Sequence, residues 1–209
     1  MPSAREALLN AALTALYHLP WSGIRMVDVA SVAGVSRQTL YNEFGSKEGL
    51  ARALVRREAD AYLHGVDRSL LLERGAGGVE QLVAVAEWTV GEARARPLLR
   101  ALLTGCWGER LPAPRAVRTA ALSGVPAQRR ADAGHPAPSE LATAVRDRSF
   151  AALEHAARSR TKEEAAEVAH RCELAVRLAL SCVVAPAPDG VGQLVRTAVS
   201  GPGWRAAGR

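Results

Sequence analysis

Between Ser36 and Asn42 the chain gathers Arg37, Gln38, Thr39, Tyr41 and Asn42, side chains that offer much of the hydrogen bonding proteins use on base edges. Arg bonds guanine through paired contacts, Gln and Asn bond adenine in the same way, and a Thr methyl can meet the thymine methyl. Tyr41 and Lys47 suit phosphate oxygens better. Lys47 also falls in the first turn of a helix, where backbone N–H groups attract anions. Such a set reads a duplex only if one exposed face carries it.

Short helices must supply that face. Val29, Ala30 and Ala33 recur at helical spacing over Val27–Ala33, which ends at Gly34-Val35, and Ser36 is a good N-cap for a second piece running to about Phe44. Two such helices joined by Ala-Gly-Val-Ser describe a helix-turn-helix. Gly34 takes the sharp turn, Val35 plugs the angle between the helices, and Leu40 and Phe44 face inward. The reading side chains are left outside, on a helix narrow enough for the major groove.

Upstream, Ser3 and Glu6 form a capping box for a first helix whose apolar face is Leu9, Ala12, Leu13, Leu16 and Tyr17, stopped before Pro20. Downstream, Gly45-Ser46 breaks the second piece, and Ser46 caps a longer helix that continues from Lys47 past Leu70 to the Gly75–Gly78 stretch.

This segment resembles the TetR family of bacterial transcriptional regulators. The resemblance rests on Val29-Ala30, the Ala-Gly-Val-Ser run ending at Ser36, Thr39-Leu40-Tyr41, Phe44, and Ser46-Lys47-Glu48 with Leu50, and it covers about 50 residues. It implies an α-helical homodimer with an N-terminal DNA-binding domain and a C-terminal domain that binds a small effector and dimerises. Residues 1–50 are then the DNA-binding domain and 51–200 the ligand-binding and dimerisation domain, with 201–209 a disordered tail. Expected at DNA are Arg25, Ser36, Arg37, Gln38, Thr39, Tyr41, Asn42 and Lys47. Two positions depart from the pattern. Arg25 stands where the family often has a capping Thr; it cannot accept the capping bond but can reach a phosphate. Glu43 stands where His or Tyr is common, and its carboxylate would repel the DNA backbone unless it turns away or accepts from a cytosine amine.

The second half reads as helices at about 79–95, 97–107, 140–159, 162–185 and 189–200. Five prolines interrupt 111–138, which reads as a mobile loop with a short helix around 115–122. If the resemblance holds, Trp88 and Trp107 wall an effector cavity, where they either stack on a flat or hydrophobic ligand or fill core between helices, the second being the commoner use. Cys106 beside Trp107 is a thiol sensor or an inert small hydrophobe. The last two helices resemble those that pair family members as a four-helix bundle, which points to Leu174, Arg177, Leu178, Ser181 and Cys182 as the dimer face.

Composition sets the outer bounds. The 209 residues include 41 Ala and 25 Arg but only two Lys, with aromatic residues at 4%, so an all-α fold is expected. The net charge of +6 says little about DNA, because residues 1–52 carry only +1: Arg5, Arg25, Arg37, Lys47 and Arg52 against Glu6, Asp28, Glu43 and Glu48. Cys106, Cys172 and Cys182 make no CxxC, and no two histidines are spaced as ligands on one helix, so neither metal nor cofactor is expected. The absence of a signal-like N-terminus and of any long apolar run predicts a soluble, cytoplasmic protein without a membrane partner. The leading expectation is a repressor released from operator DNA by a small molecule. A sequence-nonspecific DNA binder is the alternative. A helical enzyme ranks lower, since the chain has no G-x-S-x-G, H-E-x-x-H or Gly-rich phosphate loop.

Overall fold

The computed structural model describes residues 3–113, 136–155 and 161–200. The expected helix near 115–122, most of the Pro-rich loop and the tail 201–209 lie outside the described residues. Within them the chain forms α1 (Ala4–His18), a 3-10 turn (Trp21–Gly23), α2 (Met26–Val32), α3 (Arg37–Phe44), α4 (Lys47–Leu72), α5 (Gly78–Ala95), α6 (Pro97–Thr104), α7 (Pro138–His155), α8 (Lys162–Val184) and α9 (Gly190–Val199). Among the described residues there is no strand, and no helix is long and apolar enough to cross a membrane.

Two compact units divide the chain, one of residues 1–58 with 106–136, the other of 59–105 with 137–209. The division falls at Glu58, inside α4, rather than at residue 50. The reason is local: Leu50 and Leu54 are fully buried in the first unit's core, and Arg57 donates to Asn10 Oδ1 at 2.7 Å and to the Leu9 carbonyl at 3.2 Å, tying the start of α4 to α1.

In the first unit α1 opens on the capping box: Ser3 Oγ accepts from the Glu6 N–H at 3.2 Å, and Glu6 Oε2 accepts from the Ser3 N–H at 2.9 Å. Its buried residues Leu8 and Ala12 meet Ile24, Val29, Leu40 and Phe44 in a small core. The Trp21 N–H donates to the Arg110 carbonyl at 2.9 Å, which anchors the 3-10 turn to the described start of the 106–136 segment.

In the second unit α5 packs on α8 and α9, and α7 packs on α8. Thr161 and Glu164 repeat the reciprocal cap at the start of α8. The Gln81 side chain donates to the Leu70 carbonyl at 2.7 Å, and Arg196 of α9 holds the Glu80 carboxylate with two bonds of 2.8 and 3.0 Å. Helix α6 ends at Thr104, three residues short of the expected 107, because Gly105 takes a left-handed conformation at φ 73° and closes the last turn. Cys106 and Trp107 are consequently not helical and group with the first unit.

Candidate nucleic-acid interface

Helix α3, the candidate reading helix, is set by its turn. Gly34 at φ 68° reverses the chain, the Val35 N–H donates back to the Ala30 carbonyl at 3.1 Å, and Val35 is half-buried. Ser36 then caps α3, its Oγ accepting from the Thr39 N–H at 3.0 Å while bonding the Thr39 hydroxyl at 2.9 Å. The two hydroxyls share one bond, so Ser36 and the half-buried Thr39 shape the helix start while one O–H and the Thr methyl are left to offer. Gly45 at φ 68° closes the other end.

Leu40 and Phe44 are buried, which turns Arg37, Gln38, Tyr41 and Asn42 outward. Among the described residues Arg37 has no ion-pair partner, so its guanidinium fork is available to an anion or to guanine. Gln38 Nε2 donates to Asn42 Oδ1 at 2.9 Å, one helical turn on, and so ties the two amides into a unit. Tyr41 is 40% exposed and presents its hydroxyl beside them.

Two expected contacts, Arg25 and Lys47, and the acidic Glu43 are each held by a partner within the protein. Arg25 sits at the N-cap position of α2 without capping it; its Nε and Nη2 fork onto Asp28 at 2.7 and 3.0 Å. The hydrogen bond and charge of that carboxylate raise the Arg25 pKa above its ordinary value. Lys47 Nζ donates to the Ser22 carbonyl at 3.2 Å and lies 5.3 Å from the Trp21 ring centroid, so it pins α4 to the 3-10 turn. Glu43 turns toward α1, where Arg5 Nη1 donates to its Oε2 at 3.4 Å and its carbonyl at 3.3 Å. Arg5, which spacing along the sequence did not single out, is brought there from 38 residues away.

One more residue fixes this face. A Cβ on Gly49 would collide with the Phe44 backbone carbonyl, so the glycine in Ser46-Lys47-Glu48-Gly49-Leu50 lets α4 start hard against the end of α3. Ser46 caps it, accepting from the Gly49 N–H at 3.1 Å.

The second unit contains a cavity of about 10 Å³, room for one water, lined by Tyr62, Val85, Thr89, Leu103, Val145 and Val176 among others. The Tyr62 hydroxyl bonds Thr89 Oγ1 at 2.9 Å, which donates to the Val85 carbonyl at 2.7 Å. Burial pushes the Tyr62 pKa up to about 12, which keeps the phenol neutral. None of the three residues expected to wall a ligand lines this cavity. Trp88 packs on Gly65, with its Nε1 donating to the Tyr62 carbonyl at 3.3 Å and Arg68 over its ring at 5.3 Å. Cys106 is exposed, and Trp107 follows it beyond the end of α6.

On α8 the expected dimer set splits. Leu174 and Leu178 are half-buried, and Arg177 and Ser181 are exposed, with Arg177 paired to Glu173 at 2.7 Å. Cys182 is only 3% exposed and belongs to the unit's own core: it falls on the flank shared with Ala175 and Ala179, not on the Leu174 side. Val184 and Leu194 add exposed apolar surface on α8 and α9.

Residues 8–54 match the profile described as bacterial regulatory proteins, tetR family. The HTH-type transcriptional regulator AlkX of Mycobacterium tuberculosis is 41% identical over 101 residues, which cover 48% of this chain and 47% of the relative. The chain therefore matches about half the length of that curated relative. Among solved structures, the TetR family repressor AlkX of Dietzia sp., implicated in biodegradation of n-alkanes, superposes with a TM-score of 0.53 at 21% identity, over 93% of this chain and 91% of that one. The fatty acid degradation regulator FadR of Bacillus halodurans gives 0.51 at 13% identity, over 98% and 99%. These two likenesses speak for the fold. With the turn, the caps and the exposed side chains of α3 in place, residues 8–54 are similar to the tetR family of bacterial regulatory proteins.

Proposed function

We propose that the protein is a ligand-responsive transcriptional repressor. Its homodimer holds operator DNA through α3, and a small molecule in the second unit releases it. The observation that carries this reading is the exposed set Arg37, Gln38, Tyr41 and Asn42 on a helix fixed by its Ser36 cap and by the Gly34 and Gly45 turns. A C2 dimer fits because two such helices must meet two half-sites on one face of the duplex. The half-exposed Leu174–Leu178 face with Val184 and Leu194 is the surface on which α8 and α9 would pair. The small cavity holds no more than a water, so an effector has to open it; its lining, mostly Ala, Val and Leu with one neutral Tyr–Thr pair, favours a neutral, largely apolar one. The description of the Dietzia relative is in keeping with that class. An effector acts by binding the two dimer states with different affinity.

Selection of duplexes from a randomised library, followed by anisotropy titration of the selected and a scrambled duplex at two salt concentrations, tests the reading. Selected DNA is expected to bind at least about 1,000-fold more tightly than scrambled. Equal affinity for both with a steep salt dependence identifies a backbone-only binder instead. Affinity that survives Arg37→Ala, Gln38→Ala and Tyr41→Ala combined overturns the reading.

A further inference from the structure

A carboxylate on a DNA-reading helix works against the phosphates around it, and within about 8 Å, the Debye length at physiological salt, that repulsion is little screened. Helices α2 and α3 carry one acidic side chain each, Asp28 and Glu43, and each is matched by an arginine. The first pair is local, three residues apart on one segment. The second is long-range. Arg5 of α1 bonds the Glu43 carboxylate at 3.4 Å and the Glu43 carbonyl at 3.3 Å, and its guanidinium lies 4.7 Å from the Phe44 ring centroid. Three anchors commit Arg5 to the C-terminal end of α3, where a cation also suits the helix dipole.

We propose that Arg5 is a positioning residue for DNA binding: it holds the Glu43 carboxylate against α1, so that α3 meets the duplex without a free negative charge. The inference rests on reading α3 as the DNA-reading helix. It also explains how the chain carries Glu43 at this position. The role of Arg5 is indirect, and it follows that its loss should be repaired by removing the charge it restrains.

The test is a double-mutant cycle of wild type, Arg5→Gln, Glu43→Gln and the double variant, titrated by anisotropy against the duplex that wild type selects from a random library. Arg5→Gln is expected to weaken binding roughly three- to tenfold, Glu43→Gln to change it less than about threefold, and the double variant to return to within about threefold of wild type. A merely structural tie between α1 and α3 would not be restored by deleting its second partner. Additive effects, or a double variant as weak as Arg5→Gln, mean that Arg5 serves the fold or a phosphate directly, and overturn the proposal. Should Arg5→Gln fail to fold, judged by its thermal melt, Glu43→Gln alone decides: a gain of roughly tenfold shows a carboxylate facing DNA unrestrained and overturns the proposal, while near-unchanged affinity supports it. If wild type selects no duplex, the repressor reading falls first, and this inference falls with it.

Discussion

The Cβ that Gly65 lacks would stand inside the indole ring of Trp88. A helix-interior glycine ordinarily costs about 1 kcal/mol relative to alanine. Here its bareness lets α4 and α5 close on each other with the ring laid across the gap. Moving the indole aside would break the Nε1 bond to the Tyr62 carbonyl. Gly65→Ala is therefore expected to destabilise the protein by about 1–2 kcal/mol net, the overpacking penalty exceeding the gain in helix propensity. Urea unfolding measures it, and a stabilised variant contradicts the packing described.

Gly49→Ala meets a harder obstacle, since the atom in the way is the Phe44 backbone carbonyl and not a side chain that can swing aside. The end of α3 has to shift relative to the start of α4. A loss of about 2 kcal/mol or more is expected, with a parallel fall in DNA affinity. Amide exchange over residues 37–54, compared with wild type, shows whether the damage is confined to this corner.

The hydrogen bond from Gln38 to Asn42 predicts coupled base reading. It leaves Gln38 its acceptor oxygen and one N–H, the pair that fits adenine, while Asn42 keeps both N–H donors and one lone pair on Oδ1. Gln38→Ala is expected to cost about 1–3 kcal/mol on the selected site and to relax the preference at one base pair. Asn42→Ala should relax that same pair in part, because Gln38 loses the group that orients it. Repeating the library selection with each variant reads both effects, and independent changes at two unrelated positions would refute the coupling.

The Glu80–Arg196 pair gives the second unit a pH dependence. The hydrogen bond from Arg196 holds the Glu80 carboxyl below its ordinary 4.5, with partial burial opposing. Because the folded value is depressed, the stabilisation is complete above about pH 4.5 and is lost as pH falls through the lower folded value. The side chains are 38% and 41% exposed, so solvent screening limits the contribution to about 0.5–1 kcal/mol. Glu80→Gln should lose that amount at about pH 7, and the difference from wild type should close as the solution is taken toward about pH 3. Denaturant midpoints at both pH values decide.

Local signals carried much of the architecture. The capping box at Ser3, the Gly34 turn, the Ser36 cap and the inward Leu40 and Phe44 depend on residues a few positions apart, so patterning along the chain finds them. What spacing could not supply were partners brought together by the fold. The destination of Glu43 is set by Arg5, and that of Lys47 by Ser22 and Trp21, 25 and 26 residues upstream. Nothing along the sequence shows why glycine stands at positions 49 and 65; the Phe44 carbonyl and the Trp88 ring opposite them do. Spacing leaves Trp88 between ligand stacking and core filling, because the glycine that receives it sits on another helix. Cys182 lies at a position of α8 that borders both its outer and inner faces, so spacing alone does not say which face it joins, and here it is buried.

The engagement of Lys47 has a practical side in a chain with only two lysines. Its nitrogen already donates to a carbonyl beneath an indole, whereas Lys162 opens α8 and is exposed. Among side chains, an amine-reactive dye used sparingly should collect at Lys162. The labelled protein would then carry its reporter on the second unit, and the surface around α3 would keep its native chemistry.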